Sequence, residues 1–335
     1  MSKIAILGAG SWGTALAVLL AAKNYEIVLW EHFPELADDL IKYRENKKML
    51  PGIKIPDNVK ITNSLDEAVD GTKILVNAVP SHITRNLANQ LGKYPFEGKL
   101  IVSVTKGIEN ETLLRMSQVY AEVLPNFPAE QFVVLSGPSH AEEVSRKIPT
   151  TVVAACINLK NSELIQDIFM TPAFRVYSHS DIIGVELGGS LKNVIAIAAG
   201  IIDGVGFGDN TKAALITRGL VEMTRLGTAM GADPMTFAGL SGIGDLVVTC
   251  MSRHSRNRYV GEEIGKGKTL KQVLSQMVMV AEGVKTTKSA FKLAEVHNVE
   301  MPITEAVHNV LFDGKDPKLA VYDLMARGAK QEKFV

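Results

Sequence analysis

A lysine inside an apolar segment is the residue of this sequence whose type and position most clearly suggest chemistry. Residues 185–202 read VELGGSLKNVIAIAAGII, a run that is apolar almost all round after residue 193 but holds Glu186, Lys192 and Asn193. Lysine is rarely buried without a partner or a task, and burial lowers its pKa towards the range of an acid–base catalyst. Lys192 is therefore predicted to exchange a proton with a substrate. A structural Lys–Glu pair is the alternative.

A carboxylate and a second lysine are further candidates for the same chemistry. Asp245 follows the turn Gly242-Ile243-Gly244 and is predicted to orient a lysine or a substrate hydroxyl. Lys106 lies beside a glycine, directly after an apolar run that predicts a strand. Ligands of doubly wound sheets bind beyond the carboxyl ends of the strands, so a cation there is expected to hold a ligand. A surface lysine is the alternative for Lys106.

Polar turns also follow two other predicted strands. They read Val79-Pro80-Ser81-His82 and Ser136-Gly137-Pro138-Ser139. Because serine commonly caps helices, Ser81 is predicted to be the N-cap of the helix that follows.

The segment Ser255-Arg256-Asn257 has the composition of a phosphate site. It combines a guanidinium with two neutral donors. A helix is predicted to begin here, so the free N–H groups of its first turn would add to these donors. A solvated basic loop is the alternative, and it is the preferred interpretation for Arg258.

A glycine-rich turn near the start of the chain predicts a dinucleotide site. The sequence G-A-G-S-W-G at 8–13 follows an apolar strand and opens a helix, and a second strand ends at Trp30. In this motif the first glycine permits a tight turn, the second lets the backbone approach a pyrophosphate, and the third lets helix pack on strand. Gly8, Gly10 and Gly13 are assigned these roles in that order. A glycine turn without a ligand is the alternative.

The residues after the second strand bear on the choice between NAD and NADP. An acid at this position binds the ribose 2′-OH, and a carboxylate repels the 2′-phosphate of NADP. Glu31 therefore favours NAD, whereas His32 could tolerate a 2′-phosphate or be an exposed loop residue. The choice stays open.

Alternating apolar runs and helix-like segments predict the architecture that positions these residues. The runs lack in-out alternation, as expected for strands buried on both faces. Helix-like segments such as 11–23 and 81–91 separate several of them, which indicates a parallel, doubly wound sheet. The predicted strands are Lys3–Leu7, Glu26–Trp30, Lys73–Val79, Lys99–Val104, Phe132–Leu135 and Thr151–Ala155.

From residue 181 onward helical periodicity dominates and no strand is predicted. Ser255 and Thr269 lie where N-caps are expected, and Pro302 and Pro317 lie near predicted first turns. The fold class is therefore α/β: a Rossmann-type, dinucleotide-binding domain over residues 1–180 and an all-helical substrate and catalytic domain over residues 181–335.

Composition excludes several classes of partner. The 335 residues are 46% hydrophobic, and 36 Lys and Arg balance 36 Asp and Glu, so a nucleic-acid partner is not expected. Cys156 and Cys250 follow apolar stretches without metal-site spacing and are predicted to be buried, inert thiols, with no metal bound. Residues 3–22 resemble a signal peptide, but the glycines inside them favour strand and helix. No other segment is expected to span a membrane.

Taken together, the motifs resemble NAD(P)-dependent glycerol-3-phosphate dehydrogenase of the bacterial, soluble type. The matching blocks run in order through nearly the whole chain: G-A-G-S-W-G at 8–13, V-P-S-H at 79–82, T-K-G at 105–107, S-G-P-S at 136–139, G-G-S-L-K-N-V at 188–194, G-F-G-x-N-T-K-A-A at 206–214, G-x-G-D-L at 242–246 and S-R-N at 255–257. The resemblance implies NAD(H) or NADP(H) as cofactor, a cytoplasmic homodimer, and interconversion of sn-glycerol 3-phosphate and dihydroxyacetone phosphate for glycerophospholipid synthesis.

The resemblance also implies roles for individual residues. Lys192 would serve the oxygen on C2 of the substrate, and Lys106 would contact substrate and cofactor. The other implied substrate residues are Gly137, Ser139, Asp245, Ser255, Arg256 and Asn257. The other implied cofactor residues are Ser11, Trp12, His32, Ala141, Val280 and Glu282, with Arg256 shared.

Two positions depart from the family pattern. His140 stands where phenylalanine is common, and Glu31 where some NADP-preferring members have a small residue, which puts strict NADP preference in doubt. Two rival functions stay open: a dehydrogenase acting on hydroxyacids or sugar acids, and a catalytically silent NAD-binding redox sensor. The first would want a carboxylate or carbonyl clamp, and the second would have no use for Lys106, Lys192 and Asp245 together.

Overall fold

The computed structural model describes residues 3–23, 25–329 and 331–332. The chain divides into two compact units, one of residues 1–105 and 116–182 and one of residues 106–115 and 183–335. The short segment 106–115 therefore belongs to the second unit. A single domain boundary near residue 180 does not describe this arrangement.

The first unit is built on one eight-stranded sheet of order β3-β2-β1-β4-β5-β6-β7-β8. Buried aliphatic side chains from the central strands form its core, as the apolar runs predict. The strands are β1 Lys3–Leu7, β2 Glu26–Trp30, β3 Val59–Thr62, β4 Thr72–Asn77, β5 Leu100–Ser103, β6 Phe132–Ser136, β7 Thr150–Ala155 and β8 Phe174–His179. The helices are α1 Ser11–Ala21, α2 Pro34–Tyr43, α3 Leu65–Val69, α4 Ser81–Leu91, α5 Met116–Val123, α6 Ala141–Val144 and α7 Leu159–Phe169.

Three features of this unit differ from the prediction. Strands β3 and β8 were not predicted, and β6 pairs with β7 in antiparallel fashion, so the sheet is mostly rather than wholly parallel. Ser81 is the first residue of α4 and not its cap, because Pro80 occupies the N-cap position. Its side chain is buried instead.

The second unit is helical, and among the described residues no strand follows His179. Ser255 and Thr269 cap their helices through side-chain oxygens, and Pro302 and Pro317 open theirs, as predicted. The helices are α8 Ile182–Val205, α9 Asp209–Ala229, α10 Asp245–Met251, α11 Arg256–Gly265, α12 Leu270–Ser275, α13 Glu282–Val296, α14 Pro302–Phe312 and α15 Pro317–Met325.

Helix α8 forms the core of the second unit. By length and composition alone it is the one helix among the described residues that could cross a membrane, with a mean hydropathy of 1.5 over its best window. However, 94% of that window is buried inside the protein. Buried apolar residues of α9, α11, α13 and α14 share its hydrophobic cluster, which makes it a core helix.

Helices α8 and α11 touch through their backbones. A Cβ added to Gly200 would lie 1.9 Å from the carbonyl oxygen of Arg258, and one added to Gly261 would lie 1.9 Å from that of Ile197. Real Cβ atoms do not come this close to a backbone oxygen, so both positions require glycine. The two helix axes are consequently closer than side-chain packing would permit.

Both cysteines are free and buried, as predicted. Burial raises the pKa of the Cys156 thiol, and raises that of Cys250 to about 12. Because the thiolate is the reactive form, both groups are inert at neutral pH.

Candidate active site

The glycine turn of the first unit has the geometry that a pyrophosphate site needs. Gly8 has φ +113°, and a Cβ on it would lie 3.0 Å from the backbone of Ala78. A Cβ on Gly13 would lie 1.9 Å from the Gly8 carbonyl oxygen, so helix α1 packs directly on the turn. A Cβ on Gly10, by contrast, would meet no described atom within 4 Å. The backbone at Gly10 is therefore open to a ligand.

The start of helix α1 faces this opening with free donors. Gly10 is its N-cap, and no side chain of the described residues caps it. The first N–H groups of an α-helix have no partner inside the helix, so they suit an anion. Trp12 is half-buried and packs in one small cluster with Ala141, the first residue of α6. These residues fit a bound dinucleotide, with the pyrophosphate held at the start of α1.

The predicted substrate residues of the first unit lie just beyond strand β6. Gly137 has φ +131°, and a Cβ on it would lie 3.0 Å from Cα of Val152. The Ser139 hydroxyl donates to the Gly137 carbonyl oxygen at 2.9 Å, which tightens the turn. This turn follows the carboxyl end of the strand, where ligands of such sheets bind.

In the second unit, Asp245 holds both predicted lysines. Its carboxylate accepts hydrogen bonds from Nζ of Lys192 through one oxygen and from Nζ of Lys106, at 2.7 Å, through the other. Lys192 also donates to the Thr249 hydroxyl oxygen at 2.6 Å, and that hydroxyl donates to the Asp245 carbonyl oxygen at 2.6 Å. Asp245 is therefore bonded to both lysines, and the acidic partner of Lys192 is an aspartate and not a glutamate.

Burial and charge together set the protonation of this cluster. Lys192 is 5% exposed, and burial lowers its pKa to about 8, although the charge of Asp245 acts to raise it and that of Lys106 to lower it further. Burial alone would raise the pKa of Asp245, but the charges and hydrogen bonds of Lys106 and Lys192 outweigh it and hold that pKa below its usual range. The cluster therefore combines a stable carboxylate with a lysine that can exchange a proton near neutral pH.

Local sequence explains why Asp245 stands where it does. The glycine-rich turn Leu240–Gly244 leads into α10, and a Cβ on Gly242 would lie 1.9 Å from the Phe237 carbonyl oxygen. Asp245 is the first residue of α10, where the helix dipole favours a negative charge. Thr249 lies four residues later, on the same face of the helix.

Lys106 is held by the segment to which it belongs. Arg115, at the other end of residues 106–115, forms a buried ion pair with Glu186 of α8. The Ser289 hydroxyl donates to the Asn110 side-chain oxygen at 2.7 Å. These contacts attach the segment to α8 and α13, so Lys106 is half-buried instead of a mobile surface lysine.

The predicted phosphate seat lies at the start of α11, and some of its donors are already engaged. The Ser255 hydroxyl oxygen accepts from the Arg258 N–H as the cap of the helix. The Asn257 amide donates to the Asn193 side-chain oxygen and accepts from the Gly283 N–H, both at 2.9 Å. Exposed Arg256 donates to the Val280 carbonyl oxygen at 3.0 Å, which brings a substrate candidate and a cofactor candidate together.

The prediction that Arg258 lies in a solvated loop was wrong. It lies in the first turn of α11, and its guanidinium pairs with Asp203 at 2.7 Å from Nε. Asp203 also pairs with Lys212. Arg258 is therefore structural, and Arg256 is the guanidinium of this helix start that is exposed to solvent.

Two residues of the cluster had no role assigned from the sequence. Thr249 is one, although its spacing from Asp245 places both residues on one face of α10. Asn193 was noted only as an interruption of the apolar segment, and it proves to be the partner of Asn257. Glu282 is half-buried at the start of α13, next to Gly283, whose N–H binds Asn257.

A glycine turn at the edge of a mostly parallel sheet, with a buried lysine–carboxylate cluster in a helical unit, defines the class of dinucleotide-dependent dehydrogenases. Two family models match the chain: the N-terminus of NAD-dependent glycerol-3-phosphate dehydrogenase over residues 3–162 and the C-terminus of the same family over residues 181–322. The chain belongs to this family.

Individual relatives agree with the family models over the full length. Glycerol-3-phosphate dehydrogenase (NAD(P)+) of Chlorobium limicola is 55% identical over 331 residues, which cover 99% of each chain. An enzyme of the same name from Salinibacter ruber is 55% identical and covers 100% of this chain and 98% of its own. The crystal structure of glycerol-3-phosphate dehydrogenase from Coxiella burnetii superposes with a TM-score of 0.93 at 39% identity, covering 97% of this chain and 99% of that one.

Proposed function

We propose that this chain is an NAD(P)-dependent glycerol-3-phosphate dehydrogenase that interconverts sn-glycerol 3-phosphate and dihydroxyacetone phosphate. In the cell it mainly reduces the ketone to supply glycerophospholipid synthesis. The observation that carries the proposal is the buried cluster of Lys192, Asp245 and Lys106 in a member of this family.

A nicotinamide dinucleotide held at the glycine turn would supply the hydride for the reduction and accept it in the reverse direction. In the reduction, Lys192 donates the proton that the oxygen on C2 takes up as the carbonyl becomes a hydroxyl. Lys192 then returns to its charged form by taking a proton from solvent. Asp245 remains ionised throughout and keeps the Lys192 amine directed at the reacting oxygen.

The remaining residues position the substrate. The Arg256 guanidinium and the first N–H groups of α11 bind the phosphate, and Lys106 adds a second cation near the carbonyl. Ser255 and Asn257 contribute mainly by shaping the helix start, since their side chains already serve Arg258 and Gly283. Positioning of this kind contributes about 7–11 kcal/mol of barrier reduction.

Two rival functions differ from this proposal in what they require of the site. A hydroxyacid or sugar-acid dehydrogenase binds a carboxylate in place of a phosphate. The exposed guanidinium and the helix N–H groups at the start of α11 suit an oxyanion, and membership of the glycerol-3-phosphate dehydrogenase family favours phosphate. A silent redox sensor has no need of a buried lysine whose pKa is lowered to about 8.

The direct test is an assay of reduced-dinucleotide consumption with dihydroxyacetone phosphate as substrate. We expect absorbance of the reduced nicotinamide to fall with at least one of NADH and NADPH. No loss with either would contradict the proposed activity, and loss only with a 2-oxo acid would favour the hydroxyacid rival. Denatured protein is the control for reaction in solution.

Three further expectations, on domain roles, cellular location and oligomeric state, belong to the same proposal. Residues 1–180 form the cofactor-binding domain and residues 181–335 the substrate and catalytic domain, to which the segment 106–115 adds Lys106. The enzyme works in the cytoplasm, which the two free, buried cysteines favour. It forms a homodimer, as the family resemblance implies, and light scattering on the purified chain tests that state.

A further inference from the structure

The register of the sheet places Glu31 beside the glycine turn. Strand β1 pairs with β2 so that Leu7 lies opposite Trp30, and the Gly8 N–H donates to the Trp30 carbonyl oxygen at 3.0 Å. Glu31, the next residue, therefore lies across from Gly8, the first glycine of the turn. At this place in a dinucleotide-binding sheet, an acidic side chain reaches the ribose 2′-OH of NAD.

The carboxylate of Glu31 is held in place by backbone donors. It accepts from the Phe33 N–H at 3.1 Å. Burial raises the pKa of Glu31, and the backbone N–H groups of Phe33, Ala9 and His32 act to lower it. Glu31 is 9% exposed, and its own N–H donates to the Thr62 carbonyl oxygen at 3.0 Å. The side chain consequently bridges the glycine turn and the loop after β2, and swinging it aside to admit a phosphate would break these bonds.

The residues that directly follow Glu31 include no cation before Lys42 to offset this carboxylate. Residues 31–41 read EHFPELADDLI, with four acidic residues and no lysine or arginine. Arg44, the nearest arginine along the chain, donates to the backbone carbonyl oxygens of Pro56 and Val59. Enzymes that accept NADP commonly place an arginine near the 2′-phosphate, and this loop does not.

His32 does not replace such a cation. Its exposed ring lies edge-on between Trp30 and Phe33, at centroid distances of 5.7 and 5.0 Å. With one imidazole and four carboxylates, residues 31–41 are negative overall.

We propose that Glu31 makes this enzyme selective for NAD(H) over NADP(H), by accepting a hydrogen bond from the ribose 2′-OH and repelling a 2′-phosphate. This selectivity rests on the proposed function only in requiring that the chain bind a nicotinamide dinucleotide. The pair Glu31-His32, which leaves the choice open as sequence, thus favours NAD once the side chains are placed.

The test measures binding and turnover separately on the full-length protein. Nicotinamide fluorescence gives Kd for NADH and for NADPH, and the steady-state assay with dihydroxyacetone phosphate gives kcat/KM with each. We expect the wild type to bind NADH at least about tenfold more tightly than NADPH. The repulsion between two like charges near a protein surface is larger than the free-energy difference that corresponds to a tenfold change in Kd.

Two variants identify Glu31 as the cause. Glu31→Gln removes the charge with little change in size, and we expect it to lower the ratio of the two Kd values at least about tenfold, mainly by tightening NADPH. Glu31→Ser does the same with a smaller side chain, should loss of the carboxylate weaken the loop in the first variant. Glu35→Gln is the matched control, since Glu35 is an exposed carboxylate in the first turn of α2, and we expect it to keep the wild-type ratio.

The outcomes separate the two proposals. Wild-type Kd values within about twofold of each other, or an unchanged ratio in both Glu31 variants, would overturn the selectivity. Selective binding of NADH without any turnover of dihydroxyacetone phosphate would support the role of Glu31 while contradicting the proposed activity.

Discussion

Lys192 is subject to two opposing influences at the scale of a single residue. Burial in α8 disfavours its charged form, while the adjacent Asp245 carboxylate favours it. Burial prevails, so the pKa of Lys192 is lowered to about 8. The amine is then mostly protonated at neutral pH, yet it can release a proton at a modest cost in free energy.

The pH dependence of the two reaction directions should therefore be opposite. Reduction of dihydroxyacetone phosphate needs protonated Lys192, so kcat/KM should fall as pH rises through about 8. Oxidation of glycerol 3-phosphate needs the neutral amine, so kcat/KM should rise through the same range. Steady-state rates in both directions across this range provide the measurement, and profiles flat in both directions would exclude Lys192 as the proton-transfer group.

Removal of the Lys192 amine should affect turnover far more than cofactor binding. We expect Lys192→Ala to lower kcat about 10²–10⁴-fold, the usual contribution of a general acid or base. The Kd for the reduced dinucleotide should change little, because this substitution leaves the glycine turn of the first unit intact. Lys271→Ala, which removes an exposed lysine of α12, is the control and should retain wild-type kcat. Near-normal turnover by a folded Lys192→Ala protein would contradict the assignment.

At the scale of elements, α8 is a largely apolar helix, and three of its buried polar residues pair with other parts of the second unit. Glu186 pairs with Arg115, Lys192 with Asp245, and Asn193 with Asn257. Each partner comes from a different part of the chain. Because buried polar groups are costly unless paired, these bonds define how the segment 106–115, α10 and α11 are arranged around α8.

The ion pair between Arg115 and Glu186 should behave as a unit. Arg115→Met leaves the buried Glu186 carboxylate without this partner, and we expect it to lower the free energy of unfolding by about 3–5 kcal/mol. It should also raise KM for dihydroxyacetone phosphate, since Lys106 lies on the released segment. The double variant Arg115→Met, Glu186→Met should recover much of the stability, because no unpaired charge remains.

Chemical denaturation of the two single variants and the double variant measures this coupling. Additive losses in the double variant would show that the two side chains stabilise the unit independently. Arg85→Met is the control, because its ion pair with Glu122 joins two helices of the sheet unit and the Glu122 carboxylate is 55% exposed. Its cost should stay within about 1 kcal/mol.

The sequence predicts the interior of the sheet and not its edges. The six predicted strands all lie inside the order of the sheet, whereas the two that were not predicted, β3 and β8, are its two edges. Arg175 and Tyr177, alternate residues of β8, are exposed on one face of the sheet, so this strand lacks the continuous apolar run of a strand buried on both faces. Strand direction is likewise absent from an apolar run, which is why the antiparallel β7 was not foreseen.

The candidate site was predictable in its residue types and not in its pairings. A lysine in an apolar helix and an aspartate after a glycine turn are visible in the sequence. The sequence does not show that one carboxylate binds two lysines, because Lys106 and Asp245 are 139 residues apart and only the folded chain brings them together. For the same reason, the sequence does not show that the Asn257 amide bonds to Asn193 and Gly283.

At the scale of the whole molecule, the chain passes between its two units more than once. After β5 it contributes residues 106–115 to the second unit, returns to the first through residue 182, and then completes the second. Lys106 therefore belongs to the first stretch of the second unit, and its partner Asp245 belongs to the second stretch. The second unit is complete only when both stretches have folded.

A buried carboxylate gives the molecule a distinct dependence of stability on pH. Glu222 of α9 is 2% exposed and accepts from the Ile303 N–H, at 2.6 Å, and the Thr304 N–H at the start of α14. Burial raises its pKa from 4.5 to about 7, against the effect of these bonds. The folded state then binds a proton more tightly than the unfolded state, so the contribution of Glu222 to stability is full below pH 4.5 and is lost as pH rises to about 7.

The variant Glu222→Gln should remove this dependence. We expect the difference in free energy of unfolding, wild type minus variant, to decrease by about 2 kcal/mol between about pH 5.5 and about pH 8. The prediction concerns the change of this difference with pH. Loss of hydrogen bonds in the variant would add only a constant amount to the difference. Glu305→Gln, which replaces an exposed carboxylate in the first turn of α14, should show no such slope. A pH-independent difference for Glu222→Gln would contradict the shifted pKa.

The backbone contact between α8 and α11 bears on how this enzyme can change over time. Gly200 and Gly261 bring main chain against main chain, so the separation of the two helices does not depend on the volume of any side chain. Lys192 stands on one of these helices and Arg256 begins the other. Substitutions in the surrounding core can therefore alter many side chains without changing the separation of the two helices that carry Lys192 and Arg256, whereas a side chain at either glycine would force these helices apart.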